Sequence, residues 1–202
     1  MKRFLDLVFS FILILVLILI LLIIGIIIKA TSRGPILFKQ RRIGKNKKEF
    51  FIYKFRTMYL ETPKNMPTHL LENPGKYITP VGKFLRKSSL DELPQLINIL
   101  KGEMSFVGPR PALYNQYDLI DLRDNNYVNH VRPGVTGWAQ VNGRDELKEM
   151  EKVKYDNYYI KHQSLWFDIK IVFITFYKAL FGYGVVEGKK EVIKELDSSL
   201  KM

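Results

Sequence analysis

The stretch LVFSFILILVLILILLIIGIII, residues 7–28, holds 22 residues without a charge, broken only by Ser10 and Gly25. At about 1.5 Å per residue it forms a helix of roughly 33 Å, close to the ~30 Å hydrocarbon core of a bilayer. A cleavable signal has a shorter apolar region and a small-residue cleavage site. Here the run meets Lys29-Ala30-Thr31-Ser32-Arg33-Gly34-Pro35 instead, so it reads as a retained membrane helix. No second run matches it. Phe167 to Phe181 is apolar but carries Asp168, Lys170 and Lys178, the pattern of an amphipathic helix on a core or at a membrane surface. The functional part is therefore expected on one side of the bilayer.

Working outward, three segments follow: a membrane-associated helix over 1–30, a catalytic or binding domain over 31–185, and a polar tail over 186–202. The chain has 202 residues and a formal charge of +12. Basic residues crowd just after the apolar run, from Lys39, Arg41 and Arg42 through Lys54 and Arg56, against the single acid Glu49. Positive-inside reasoning puts this region on the cytoplasmic face of an inner membrane, where anionic head groups would hold it. Most of these lysines read as a solubilising, lipid-facing patch. There are no cysteines, which excludes disulfides and thiolate chemistry.

Pro35–Gln40 and Glu49–Phe55 read as strands, and the Gly44-Lys45-Asn46-Lys47 turn formers between them make a β-hairpin. Thr62 to Pro80, with four prolines, reads as an irregular loop. Leu93–Leu100, Leu113–Leu122 and Lys148–Tyr159 read as helices. The expected class is α+β: a membrane helix, re-entrant or spanning, then a mostly helical domain with one small sheet and amphipathic interfacial helices.

SSLDELPQ, residues 88–95, holds the adjacent acids Asp91 and Glu92. Ser89-Leu90-Asp91-Glu92 fits a capping box, in which both acids merely complement a helix dipole. Pro94 would then fall at the fifth helical position and remove a hydrogen bond. With Asp91 as N-cap, Pro94 falls at the third position, where no donor is needed, and Asp91 stands at the helix mouth. Sequence physics leaves both readings open.

Its neighbours favour chemistry. Gly108-Pro109-Arg110-Pro111 sets an arginine between two prolines, so its guanidinium can be aimed at little entropic cost. Residues 132–144, RPGVTGWAQVNGR, add two arginines and three glycines, and Lys54-Phe55-Arg56 adds two cations at a strand end. Glycine turns with arginines suit phosphate. No Walker loop or dinucleotide fingerprint is present. The arginines sit in loops rather than along one helical stripe, which argues against nucleic acid.

TSRGPILFKQ (31–40), KFRTM (54–58), DELPQLINILKGEMSFVGPRP (91–111) and RPGVTGWAQVNGR (132–144) together closely resemble the bacterial sugar transferases, the small monotopic phosphoglycosyl transferases. The likeness covers nearly all of residues 2 to 180. It implies transfer of a sugar 1-phosphate from a UDP-sugar to polyprenyl (undecaprenyl) phosphate, releasing UMP, in a ping-pong scheme that starts membrane glycan assembly. It makes Asp91 the nucleophile that becomes a phosphosugar-aspartate and puts Glu92, with Asp91, on Mg²⁺. Lys54, Arg56 and Arg110 are assigned to phosphate or nucleotide, and Gln140 and Arg144 to the nucleotide or sugar pocket. Asp156 and Asp168 also match family patterns, but each reads better as half of a structural ion pair. Trp138 reads as a packing residue. Many members break the membrane helix with a Ser-Pro pair; Val16–Ile20 has neither residue. The likeness implies re-entrance, and the missing kink former leaves a straight spanning helix open. The competing classes are a basic membrane-anchored protein binding anionic ligands and a non-catalytic scaffold of a glycan-assembly complex. A homodimer is left open.

Overall fold

The computed structural model describes residues 1–63, 73–143 and 146–181; the expected tail over 186–202 lies outside them. Helix α1, Lys2–Thr31, is unbroken. The break implied by family likeness is not present, because nothing in Val16–Ile20 removes a backbone hydrogen bond. At roughly 45 Å, α1 is longer than a hydrocarbon core, and by length and composition it could cross a membrane. Both its ends nevertheless engage the same domain. At the N-terminal end Lys2 pairs with Asp168, and Arg3 donates to the carbonyls of Ile99 and Leu100 at 2.8 and 3.3 Å. The Asp6 carboxylate accepts from the amide of Phe106. At the other end Ile24 and Ile28 are buried with Phe55 and Leu85. Asp6, Ser10, Ile24, Gly25 and Ile28 are the buried residues of α1, one stripe at helical spacing.

The hairpin pairs β1, Leu37–Ile43, with β2, Glu49–Phe55, antiparallel, with Leu37 opposite Phe55 and Ile43 opposite Glu49. A 3-10 turn over Lys45–Lys47 joins them, with Asn46 in the left-handed region. The alternation of β2 turns Phe50 and Ile52 into a core with Leu96, Ile99 and Met104. Lys54 is next on that face, so a cation follows two apolar side chains inward.

Helix α2, Pro80–Lys87, starts on a Thr79 cap whose hydroxyl accepts from the Gly82 amide, with Pro80 in the first turn. That Thr-Pro start is a helix signal hidden inside a segment read as loop. Helix α3, Gln95–Lys101, is tied to β2 by Asn98, fully buried. Its amide donates to the Phe51 carbonyl at 2.7 Å and its Oδ1 accepts from the Tyr53 amide at 3.0 Å. That clasp fixes the segment carrying the acids against the strand carrying Lys54.

A second sheet joins β3, Ser105–Val107, to β4, Gly134–Thr136, in parallel, where one small sheet was expected. Their short length hides them from pattern reading. A Cβ on Gly134 would stand 2.1 Å from the Gly108 amide nitrogen, and one on Gly137 2.1 Å from the Gly108 carbonyl. These glycines permit close backbone approach. Between the strands lies α4, Tyr117–Asp124, and after them come α5, Trp138–Val141, α6, Glu149–Lys161, and α7, Leu165–Phe181. Trp138 packs edge-on to Phe167 at 5.0 Å, as expected of a packing residue. α7 buries Ile171 while exposing Trp166, Phe173 and Phe176, the amphipathic pattern read from its sequence. The mixed α+β class stands.

Candidate active site

Neither capping reading of residues 88–95 describes the backbone. Ser89 takes a left-handed conformation (φ 56) with no side-chain cap, and Leu90–Glu92 forms a separate 3-10 turn. Pro94 then precedes α3. Detached from a regular helix, both acids turn inward: Asp91 is 7% exposed and Glu92 9%. Buried carboxylates need counter-charges, and two elements deliver them. Lys54 Nζ lies 2.6 Å from Glu92 Oε1 and 4.0 Å from Asp91 Oδ2. Arg110 Nη1 and Nη2 each lie 3.4 Å from the same Glu92 oxygen. Burial pushes the Lys54 ammonium below its ordinary pKa; Glu92 and Asp91 oppose that shift and Arg110 adds to it. A desolvated cation between two carboxylates is a strong local field.

The aim of Arg110 comes from its backbone. The Pro109 carbonyl accepts from the Gly134 amide at 2.9 Å. The Arg110 carbonyl accepts from Arg123 Nη1 at 2.7 Å, and the Pro111 carbonyl from Arg42 Nη1 at 2.9 Å. Three successive carbonyls are thus anchored, adding to the rigidity of the two proline rings. Arg123 is in turn gripped by Asp156, whose Oδ2 accepts from Nη2 at 2.7 Å and Nε at 3.1 Å. Burial pushes the Asp156 carboxyl up while Arg123 pulls it down. Asp156 is therefore the ion-pair member it was read as. So is Asp168, which takes Lys2 and the Tyr159 hydroxyl at 2.7 Å; burial and that bond push the Tyr159 pKa up.

Asp91, Glu92, Lys54 and Arg110 line one cavity of about 500 Å³, and Arg56 and Gln140 line it too. Arg56 is 5% exposed and its Nη2 donates to the Ser32 carbonyl and hydroxyl, both at 2.7 Å, so it ties the end of β2 to the end of α1. Its Nε and Nη1, and both amide atoms of Gln140, are buried without a partner. Arg144 lies outside the described residues. Sequence reasoning missed Arg42, Arg86, Arg123 and Lys152 as cavity residues. Arg42 had a signal, since strand alternation puts it on one face with Gln40, and the two share hydrogen bonds at 2.6 and 3.1 Å. Lys39, itself exposed, also borders the cavity, so the basic patch after α1 reaches the site through Arg42. The cavity is strongly cationic around one acidic pair, an arrangement suited to a polyanion approached by a carboxylate.

The sequence profile of the bacterial sugar transferases matches residues 1–182. The chain is 43% identical over 185 residues to the UDP-glucose:undecaprenyl-phosphate glucose-1-phosphate transferase of Escherichia coli (strain K12), covering 88% of this chain and 40% of that protein. It is 39% identical to the UDP-N-acetylgalactosamine-undecaprenyl-phosphate N-acetylgalactosaminephosphotransferase of Aeromonas hydrophila, covering 91% of this chain and 44% of that protein. With the uncharacterized sugar transferase EpsL of Bacillus subtilis (strain 168) it shares 37% identity, over 92% of this chain and 90% of that one. The chain thus spans less than half the length of the first two relatives, and almost all of the third. The profile match over nearly the whole described chain and these identities show that the chain belongs to the bacterial sugar transferase family.

Proposed function

We propose that this protein transfers a sugar 1-phosphate from a UDP-sugar to polyprenyl phosphate and releases UMP, as the first step of assembling a membrane-bound glycan. The observation that carries the reading is the buried Asp91–Glu92 pair facing Lys54 and Arg110 inside one cationic cavity. The activities for which two relatives are named supply the substrate class. In the first half-reaction an Asp91 oxygen attacks the sugar-proximal phosphorus. The new O–P bond forms as the bond to the bridging oxygen breaks, and UMP leaves with the electron pair. In the second, an oxygen of the lipid phosphate attacks the same phosphorus and Asp91 departs as carboxylate. A carboxylate nucleophile splits one displacement into two easier ones. Lys54 and Arg110 hold Glu92 and offset the charge that the diphosphate brings.

The residues present fit Mg²⁺, which takes one or two carboxylates and completes its shell with phosphate oxygens and waters. Glu92 would hold it, with Asp91 beside it, and the bound ion would neutralise diphosphate charge. Among the described residues no group of three His, Cys, Asp or Glu makes a cage, so substrate oxygens and waters would complete the ion's shell. UMP release from a panel of UDP-sugars, measured with polyprenyl phosphate, tests the reading. Chelation by EDTA is expected to stop release, and added Mg²⁺ to restore it; undiminished release in EDTA removes the metal.

The same reading places the chain on the cytoplasmic face of the bacterial inner membrane. A helix whose two ends are both bonded to one domain has both ends on one side, so α1 lies along the leaflet. Its exposed face, including Phe11, Val16, Leu19 and Ile26, and that of α7, Trp166 and Phe173, would enter the hydrocarbon. Because the chain has no cysteine, single cysteines introduced beside Lys2 and at Arg33 report this cleanly. Both are expected to react with an impermeant maleimide from the cytoplasmic side alone. Reaction from opposite sides would mean that α1 spans.

A further inference from the structure

A second cavity, of about 910 Å³, lies between α1, the start of β1 and the start of α3. Its lining is hydrocarbon apart from Lys29, the one charged residue among the lining residues. Leu37 and Phe55 line both this cavity and the catalytic one, so the two meet at these side chains. Leu93 and Pro94, which directly follow Glu92, form part of its wall. An apolar groove along α1 thus adjoins a cationic chamber holding the acidic pair.

We propose that this groove holds the hydrocarbon tail of the lipid acceptor, a polyprenyl phosphate, while its phosphate reaches Asp91 past Leu37 and Phe55. The proposal rests on the function given above and adds where the acceptor sits. The occupant follows from the two ends. A prenyl phosphate is one long apolar chain ending in a dianion, and here one apolar groove adjoins, at Leu37 and Phe55, the cavity lined by Lys54 and Arg110. Gly25, buried on α1, lines this groove. A Cβ there would meet Ile36 Cγ2 at 3.5 Å, an ordinary contact, so packing does not demand glycine, and glycine is a poor helix former. What its bare backbone does is leave space beside Ile36.

The test uses the full chain in nanodiscs and a polyprenyl phosphate carrying a diazirine midway along its tail. Photolabel is expected on α1 near Gly25 and on α3 near Ile97, displaced by unlabelled polyprenyl phosphate but not by phosphatidylglycerol. Label displaced equally by phosphatidylglycerol, label confined to the outer faces of α1 and α7, or a groove filled by α1 of a second copy would each overturn the proposal. In kinetics, Gly25→Phe should raise KM for the long acceptor about tenfold relative to farnesyl phosphate. Ile97→Trp, at a 40% exposed position, should do the same without altering α1. Equal shifts for both acceptors count against the groove. Groove labelling without any UMP release would sink the function and leave the groove standing. UMP release with an unlabelled groove would do the reverse.

Discussion

Replacing Asp91 with asparagine is expected to cut turnover of UDP-sugar and polyprenyl phosphate by at least about 10³-fold, the scale on which nucleophile removal acts. The substitution conserves volume at a buried position and removes the oxygen charge that attacks phosphorus. Folding should survive. Asp91 stands 4.0 Å from Lys54, whereas Glu92 keeps the 2.6 Å contact, so the lysine retains its nearer counter-charge. An unfolding midpoint within a few degrees of the parent would show that chemistry, not structure, was lost. The two acids also separate by readout. With labelled donor, the parent and Glu92→Gln should both carry label on Asp91, the latter more slowly, because its Lys54 and Arg110 lose a charged partner. Asp91→Asn should carry none. A folded Asp91→Asn variant with parental turnover would refute the covalent scheme.

Much of this arrangement was legible along the chain, and the limits of legibility are physical. The apolar run announced α1 because twenty-two uncharged residues admit few alternatives. The hairpin followed from its turn formers, and the alternation of β2 already sends Lys54 inward after Phe50 and Ile52. The acidic pair was visible, but its role was not decided by spacing. A capping box and a helix-mouth aspartate were equally good until Ser89 took φ 56 and broke the helix between them. The resemblance to sugar transferases singled out the dyad where periodicity could not. What stayed hidden depends on long-range meetings. Arg123 and Asp156 are thirty-three residues apart, and no local pattern says that they touch. The glycines of residues 132–144 suggested phosphate turns, whereas Gly134 and Gly137 press against the backbone of Gly108, a partner a sequence window does not contain. The parallel β3–β4 pair went unread for the same reason, since each strand is only three residues long.

The largest loss of stability is expected at a residue that touches no substrate. Asp156 is 1% exposed and Arg123 5%, and the pair is joined through two guanidinium nitrogens. Removing one member of a buried pair strands the other's charge, which costs about 3–5 kcal/mol. Asp156→Ala should therefore lower the free energy of unfolding by that amount, measured by denaturant unfolding in detergent. Replacing both partners, Arg123→Met with Asp156→Leu, should recover most of it, because well-packed apolar residues can substitute for a buried pair. Activity should not recover with stability. Arg123 also donates to the carbonyl of Arg110 at 2.7 Å, and Arg110 reaches Glu92. The double variant loses that donor, so its KM for UDP-sugar should stay raised while its fold is restored. A double variant with parental KM would mean that the prolines alone aim Arg110. A loss below about 1 kcal/mol in Asp156→Ala, the scale of an exposed pair, would mean that water reaches Arg123 and that its charge is not stranded.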